Sequence, residues 1–172
     1  EAVALLKETE FYPHNLGEGK LSNAEENEVD YYKGIAYQKL GNDAESTKYL
    51  MKATQGSTEP QQAFYYNDQQ PDKIFYQGLA WRALGEENKA RSRFNKLIDH
   101  GKKHLFDDCK IDYFAVSLPE LAIWEDNLNI RNQIHCYYVM ALGYSGLGKE
   151  ELAEEYYEKV KRLDVNKQVF RM

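Results

Sequence analysis

The sequence predicts an all-α fold built from antiparallel helix pairs, and three observations lead to this prediction. Residues 74–97 contain two amphipathic helical patterns joined by a short turn. Within this stretch, Gly78 leaves room for a close helix approach, and Phe94 supplies a large apolar side chain from the second helix. The same arrangement of small and large apolar residues recurs over 23–54 and 128–163. The sequence therefore predicts three helix pairs of one common design.

The chain opens on half of such a pair. Residues 2–9 are predicted to be the second helix of a pair whose first helix is missing, because Ala2 and Leu6 stand where Ala90 and Phe94 stand in the central pair. The segment begins inside an apolar pattern and not at a methionine. We therefore expect the chain to be part of a longer protein.

The first complete pair starts at a capping box. Ser22 and Glu25 have the spacing at which two side chains satisfy the free N–H groups of a helix start. This predicts a helix over about 23–40, a turn at Gly41 and a second helix over 44–54.

A first insertion follows, over residues 56–70. Thr58 and Gln61 are predicted to cap a short helix that contains the aromatic residues of 63–66. Pro71 then suits the first turn of the next helix, where its missing N–H costs nothing.

A second insertion lies between the central and last pairs. Gly101 is predicted to end the central pair's second helix, and residues 102–112 lack a clear period and are predicted to be a loop. Ser117 and Glu120 form another capping box, which predicts a short helix over 118–124.

The three pairs together resemble the tetratricopeptide repeat, a helix-turn-helix unit of about 34 residues. This resemblance implies a right-handed superhelix of antiparallel helix pairs. It also implies one domain over 1–172, with three helix pairs and the leading half-repeat. Equivalent small residues, Gly34, Gly78 and Ala141, lie 44 and 63 residues apart, so two inserted helical segments interrupt the array. These segments either pack as extra layers or cover the concave face of the superhelix.

Three sequence segments show a narrower resemblance: YPHNLGEGKL (12–21), FYYNDQQPDKIFYQGLA (64–80) and KIDYFAVSLPEL (110–121). They are similar to the C-terminal repeat region of large bacterial proteins with an N-terminal β-rich domain of unknown function. That domain resembles carbohydrate-active or sugar-binding β-sandwiches. The resemblance implies a helper module without catalytic activity, and it makes the β-rich domain of the parent chain a candidate partner.

The family resemblance also implies where a partner binds. A protein or peptide would lie on the concave face formed by the first helix of each pair, where aromatic side chains beside an arginine are typical hot spots. The predicted partner-binding residues are Tyr31, Ile35 and Gln38, then Phe75, Leu79 and Arg82, then His135, Tyr138 and Leu142. The alternative is that the inserted helices cover this face and that these residues belong to the core.

Some members of the family bind a peptide's C-terminal carboxylate with Lys, Asn and Arg side chains on these helices. The matching positions here hold Tyr31, Ile35, Tyr76, His135 and Val139. These residues do not form a cationic clamp, so we do not expect a carboxylate-terminated chaperone tail as partner.

Composition excludes several other partner classes. The formal net charge of −6 and the pI of about 5.3 argue against a nucleic-acid partner. No apolar run approaches the roughly 18 residues of a membrane span. Cys109 and Cys136 lack CxxC spacing, which favours a reducing compartment such as the cytoplasm.

We expect no enzyme activity and no cofactor, because the sequence contains no Gly-rich phosphate loop, no GxSxG and no HExxH motif. The carboxylates of 150–155 are predicted to form a solvated helix face, supported by a pair between Glu155 and Lys159.

Two alternatives to a scaffold remain at this point. His100 and His104 lie four residues apart, followed by Asp107 and Asp108, so a zinc-assisted hydrolase site is conceivable. Against it, the predicted helix end at Gly101 would separate the two imidazoles. The second alternative is homo-oligomerisation through the exposed face of the repeats.

Overall fold

The computed structural model describes residues 1–13, 15, 17, 19, 24–62, 69–110 and 127–164. Within these residues the regular structure is helical, as predicted, and contains no strand. The helices are α1 (Ala2–Glu8), α2 (Asn27–Lys39), α3 (Asp43–Ala53), α4 (Pro71–Ala83), α5 (Glu87–His104), α6 (Leu128–Gly146) and α7 (Glu150–Leu163). None of these helices is long and apolar enough to cross a membrane.

The chain divides into two compact units, Glu1–Leu97 and Ile98–Met172, and the boundary lies inside α5. Each unit is described separately below. The single domain and the right-handed superhelix therefore stay predictions.

In the first unit, α2 and α3 form an antiparallel hairpin that turns at Gly41, whose φ of +72° favours glycine. A Cβ on Gly34 would lie 2.6 Å from Cγ of Leu50, so only glycine permits this helix approach. Leu50 and Ala53 of α3 form a buried cluster with Ala80 of α4. The helix pair predicted over 23–54, with a small residue at Gly34, is therefore present.

The α4–α5 pair repeats the same contact. A Cβ on Gly78 would lie 2.4 Å from Cε1 of Phe94, and the Phe94 side chain is fully buried. The connecting turn contains Gly85 at φ +82°. The central helix pair predicted from these residues is confirmed.

Two buried amides hold the chain where the first insertion begins. The Nδ2 atom of Asn27 donates to the carbonyl oxygens of Ala53 and Gln55 at 2.8 and 2.9 Å. The Nε2 atom of Gln77 donates to the carbonyl oxygens of Gln55 and Ser57 at 2.8 and 2.9 Å. These bonds satisfy carbonyl groups at the last residue of α3 and just beyond it, and they tie that segment to α2 and α4.

The helix boundaries differ from the sequence prediction in one place in this unit. Helix α2 begins at Asn27, whereas the capping box placed its start near Asn23, and residues 24–26 are not helical. The side chain of Asn27 is committed to the end of α3, a tertiary contact that the local capping pattern does not contain. The helix predicted over 63–66 lies outside the described residues.

In the second unit, α6 and α7 form a hairpin that turns at Gly148, with φ +70°. Its buried side chains include Val139, Ala141, Ala153 and Val160. The last helix pair is therefore also confirmed, while the helix predicted over 118–124 lies outside the described residues.

The prediction that Gly101 ends α5 is wrong. The helix continues to His104, and a Cβ on Gly101 would lie 2.6 Å from the carbonyl oxygen of Cys136 in α6. Glycine is needed here for a close helix approach and not for a helix stop. Asn132 of α6 donates its Nδ2 to the carbonyl oxygen of His104 at 2.6 Å, which caps the helix end three residues later than predicted.

The first unit also buries a lysine. The side chain of Lys33 in α2 is fully buried, and its ammonium group contacts the carboxylate of Glu10, just after α1. The same ammonium lies 5.5 Å from the centroid of the Tyr49 ring. Since α1 has no buried side chain of its own, this ion pair is a main attachment of the N-terminal segment to α2.

We expect Glu10→Gln to destabilise the protein more than Lys33→Met. The first substitution leaves a buried ammonium without its contact to a carboxylate, which costs roughly 3 kcal/mol. The second leaves a carboxylate that is partly exposed and can be hydrated. Urea unfolding of both variants tests this order, and a larger loss in Lys33→Met would contradict it.

We expect Gly101→Ala to lower the free energy of unfolding by about 1–3 kcal/mol, because the added methyl group meets a backbone carbonyl that cannot move alone. Helix propensity by itself would raise stability by about 1 kcal/mol. Ser92→Ala, at an exposed position of the same helix, is the control and should change little. A more stable Gly101→Ala variant would show that the close approach is wrong.

Candidate partner-binding surface

The nine predicted partner-binding residues fall into an accessible set and a buried set. Phe75, Tyr138 and Leu142 are 4%, 7% and 2% exposed and belong to the core. The remaining six residues are half-buried or exposed: Tyr31, Ile35, Gln38, Leu79, Arg82 and His135. Five of these six lie on α2 and α4 of the first unit, so the accessible part of the predicted set is concentrated on these two first helices.

Helices α2 and α4 pack against each other, and three tyrosines lie at their contact. We name Tyr31, Tyr32 and Tyr76 the tyrosine cluster. The ring centroids are 5.4 Å apart for Tyr31 and Tyr32, and 5.7 Å apart for each of these with Tyr76. The hydroxyl oxygens of Tyr32 and Tyr76 are 3.3 Å apart. The ring of Tyr32 is 43% exposed, so the cluster reaches the surface.

Burial is the main influence on the pKa of two hydroxyl groups in this cluster, those of Tyr31 and Tyr76. It raises the pKa of Tyr31, an effect to which Tyr32 adds and which Arg82 opposes. The pKa of Tyr76 is also raised, first by burial and then by the hydrogen bond with Tyr32. Both hydroxyls therefore remain protonated donors over the whole range around neutral pH.

An ion pair lies at each end of the α2–α4 face. At the end where both helices begin, the ammonium of Lys73 contacts both carboxylate oxygens of Glu28, at 2.6 and 2.7 Å. At the other end, Nε and Nη2 of Arg82 contact the carboxylate of Glu87 at 3.1 and 3.4 Å. The Arg82 guanidinium also stacks over the Phe94 ring, 5.0 Å from its centroid.

The sequence prediction omitted Tyr32 from the binding face. A signal for it was present, because Gly34 and Gly78 are equivalent and the same offset of 44 residues pairs Tyr32 with Tyr76. Two tyrosines at one position of successive repeats predict a contact between adjacent first helices.

The histidines proposed as zinc ligands do come together in the second unit, because α5 continues through Gly101 and carries both His100 and His104. The rings of His100 and His104 are 4.6 Å apart, and His135 lies edge-on to His100 at 5.9 Å. The Nδ1 atom of His104 contacts the carboxylate of Asp107 at 2.6 Å. Among the described residues, however, no group of three His, Cys, Asp or Glu side chains is placed to hold a metal ion. The metal-dependent hydrolase alternative thus gains no support.

Burial lowers the pKa of His100 to about 4, and the nearby His104 adds to this effect while Asp107 opposes it. The Nε2 atom of His100 is buried and has no hydrogen-bond partner among the residues that the structure describes. This histidine is therefore a neutral packing residue at the contact between the end of α5 and α6.

Neither cysteine has the environment of a nucleophile. Both carry thiol groups and are not joined in a disulfide, and burial raises the pKa of Cys136 to about 12. Burial likewise raises the pKa of Cys109. Reactive cysteines have lowered pKa values, and Cys136 is instead a core residue.

The carboxylates of α7 lie on its exposed side, and Glu155 accepts a hydrogen bond from Lys159 at 2.7 Å. The predicted ion pair between these two side chains, four residues apart in one helix, is confirmed. The acidic face is thus the solvated side of an amphipathic helix.

Two segments of the chain match family models described as tetratricopeptide repeat, over residues 74–100 and 134–166. The first covers most of α4 and α5, and the second covers most of α6 and all of α7. These matches support the tetratricopeptide repeat family, whose members are generally protein–protein interaction modules, and the fold is all-α and tetratricopeptide-like. No solved structure matches the chain with significant similarity.

We expect acid to destabilise the second unit through His100. The unfolded chain takes up the imidazole proton near pH 6.5, whereas the folded chain resists it until about pH 4. The free energy of unfolding should therefore fall as the pH drops from 6.5 to 4, by on the order of 1–2 kcal/mol for a partly exposed group. Urea unfolding at several pH values checks this, and His100→Phe should show a shallower fall. Equal pH dependence in both proteins would contradict the assignment.

Proposed function

We propose that this tetratricopeptide-repeat chain is a non-catalytic interaction module that binds a peptide or a partner domain on the face formed by α2 and α4. The observation that carries the proposal is the tyrosine cluster, which offers aromatic rings and hydroxyl donors at a surface of the first unit. Tyrosine is enriched at interface hot spots because it offers a large rigid ring and a polar group together.

The accessible residues of the predicted set extend this surface along both helices. Ile35 and Leu79 supply half-buried apolar contacts, while Gln38 and Arg82 supply exposed polar groups. An apolar centre with a polar rim is the usual composition of a protein interface. Of the three residues predicted on α6, two are core residues, so we restrict the proposed site to α2 and α4.

The partner is a protein in this proposal. One candidate is the N-terminal β-rich domain of the parent chain, which the narrower family resemblance suggests. In that case the module is an intramolecular scaffold, and the chain from 1 to 172 acts as one repeat domain beside it. A peptide from another protein is the other candidate, and both would use the same face.

Selection from a random heptapeptide library displayed on phage tests the proposed face. Peptides enriched on the wild-type chain should bind the Tyr32→Ala/Arg82→Ala variant at least about tenfold more weakly, because an aromatic contact and a charged contact of the face are lost together. Fluorescence anisotropy of the synthesised peptides measures the affinities.

A matched control comes from the same unit. Met51 is 43% exposed, like Tyr32, and Arg91 contacts the same Glu87 carboxylate as Arg82, at 3.1 Å. The Met51→Ala/Arg91→Ala variant should keep wild-type affinity. Equal loss in both variants, or full binding by the Tyr32→Ala/Arg82→Ala variant when circular dichroism shows it folded, would remove this face from consideration.

A further inference from the structure

The tyrosine cluster is bordered by two carboxylates at equivalent repeat positions. Glu28 in α2 and Asp72 in α4 are separated by the same 44 residues as Gly34 and Gly78. Both belong to the first turn of their helix. Glu28 precedes Tyr32 by four residues and Asp72 precedes Tyr76 by four, so each carboxylate lies on the same helix face as its tyrosine. Both carboxylates also raise the pKa of the Tyr76 hydroxyl.

The ammonium group of Lys73 interacts with both carboxylates, but more closely with that of Glu28. Both close contacts of the ammonium are with Glu28, at 2.6 and 2.7 Å. The carboxylate of Asp72 accepts hydrogen bonds from backbone N–H groups of its own turn, and the charge of Lys73 acts to lower its pKa. Its pKa is nevertheless raised, first by burial, and Glu28 adds to the rise. The carboxylate of Asp72 therefore lacks full compensation for its desolvation.

Among the described residues, the opposite end of the face carries no excess of negative charge. Arg82 and Arg91 both contact the Glu87 carboxylate there. Between the two ends lie aromatic and aliphatic side chains: Tyr31, Tyr32, Ile35 and Leu79. Over the described residues, the face is thus apolar in its middle and negative where α2 and α4 begin.

We propose that the occupant of this face is an extended peptide segment with a basic side chain near an apolar or aromatic one, the basic group lying between Glu28 and Asp72. This inference rests on the proposed function of the α2–α4 face and adds the chemistry of the partner. The carboxylates precede the tyrosines by one helical turn, about 5.4 Å. Alternate residues of an extended chain lie about 6.6 Å apart on one side, so the basic residue stands two positions from the apolar one.

Three capped heptapeptides of one sequence test this charge preference. Each contains central Leu and Tyr side chains, and they differ only in carrying Lys, Gln or Glu two residues from the tyrosine. We expect the Lys peptide to bind the wild-type chain about fivefold more tightly than the Gln peptide, with the Glu peptide weakest. The advantage of the Lys peptide should shrink at high salt.

Variants of the border residues separate charge from shape. Asp72→Asn keeps an oxygen acceptor but removes the charge, and it should reduce the advantage of the Lys peptide to less than about twofold. Lys73→Gln removes the competing ammonium and should increase that advantage, which a purely structural role of Lys73 does not predict. Tyr32→Ala should weaken all three peptides by a similar factor.

Equal binding of the Lys and Gln peptides, or tightest binding of the Glu peptide, would overturn the charge preference and leave the peptide-binding function in place. Failure of all three peptides to bind would overturn it as well. In that event the library selection still decides whether the α2–α4 face binds peptides at all. An unchanged preference in both Asp72→Asn and Lys73→Gln would show that the basic group does not lie between these carboxylates.

Discussion

Three helix contacts, two in the first unit and one in the second, depend on one constraint, which is that a glycine faces a bulky group of the neighbouring helix. Gly34 meets Leu50, Gly78 meets Phe94, and Gly101 meets the backbone of Cys136. In each case a Cβ would come closer than 3 Å, so the helix axes lie nearer to each other than any other residue allows. Because the helices approach closely, the apolar side chains around each glycine pack densely. A wider separation between the helices would lose these van der Waals contacts.

This packing has a consequence for the surface. In the first unit α2 uses one side against α3 and another against α4. Of the tyrosines between α2 and α4, Tyr32 is exposed, Tyr31 is half-buried and Tyr76 is buried. Tyrosine suits such a half-buried position because its ring packs while its hydroxyl finds a polar partner. The same packing that stabilises the unit therefore creates the surface proposed for partner binding. Charged groups then border this surface instead of interrupting it.

Polar groups are buried where the repeat pattern is broken. Asn27 and Gln77 hold carbonyl groups at the start of the first insertion, and Asn132 holds the end of α5. Lys33 is buried and contacts Glu10, at the position that Gln77 occupies 44 residues later. The amides of Asn27, Gln77 and Asn132 satisfy backbone carbonyl groups at helix ends and in the insertion, which the helices themselves leave without a partner. Their substitution by apolar residues would leave such groups without partners.

The sequence by itself determined the helix pairs, their turns and the glycines between them. The spacing of apolar residues and the positions of glycines are local properties that can be read directly from the sequence. It also contained the candidate surface, since five of the accessible predicted residues lie on α2 and α4. Tertiary structure alone decided that Gly101 continues a helix, because a glycine that stops a helix and one that lets a second helix approach look alike in sequence. It likewise decided which predicted residues are buried. Phe75 and Tyr138 are aromatic residues of first helices just as Tyr31 is, and only the neighbours that pack against each ring determine how much of it a partner can reach.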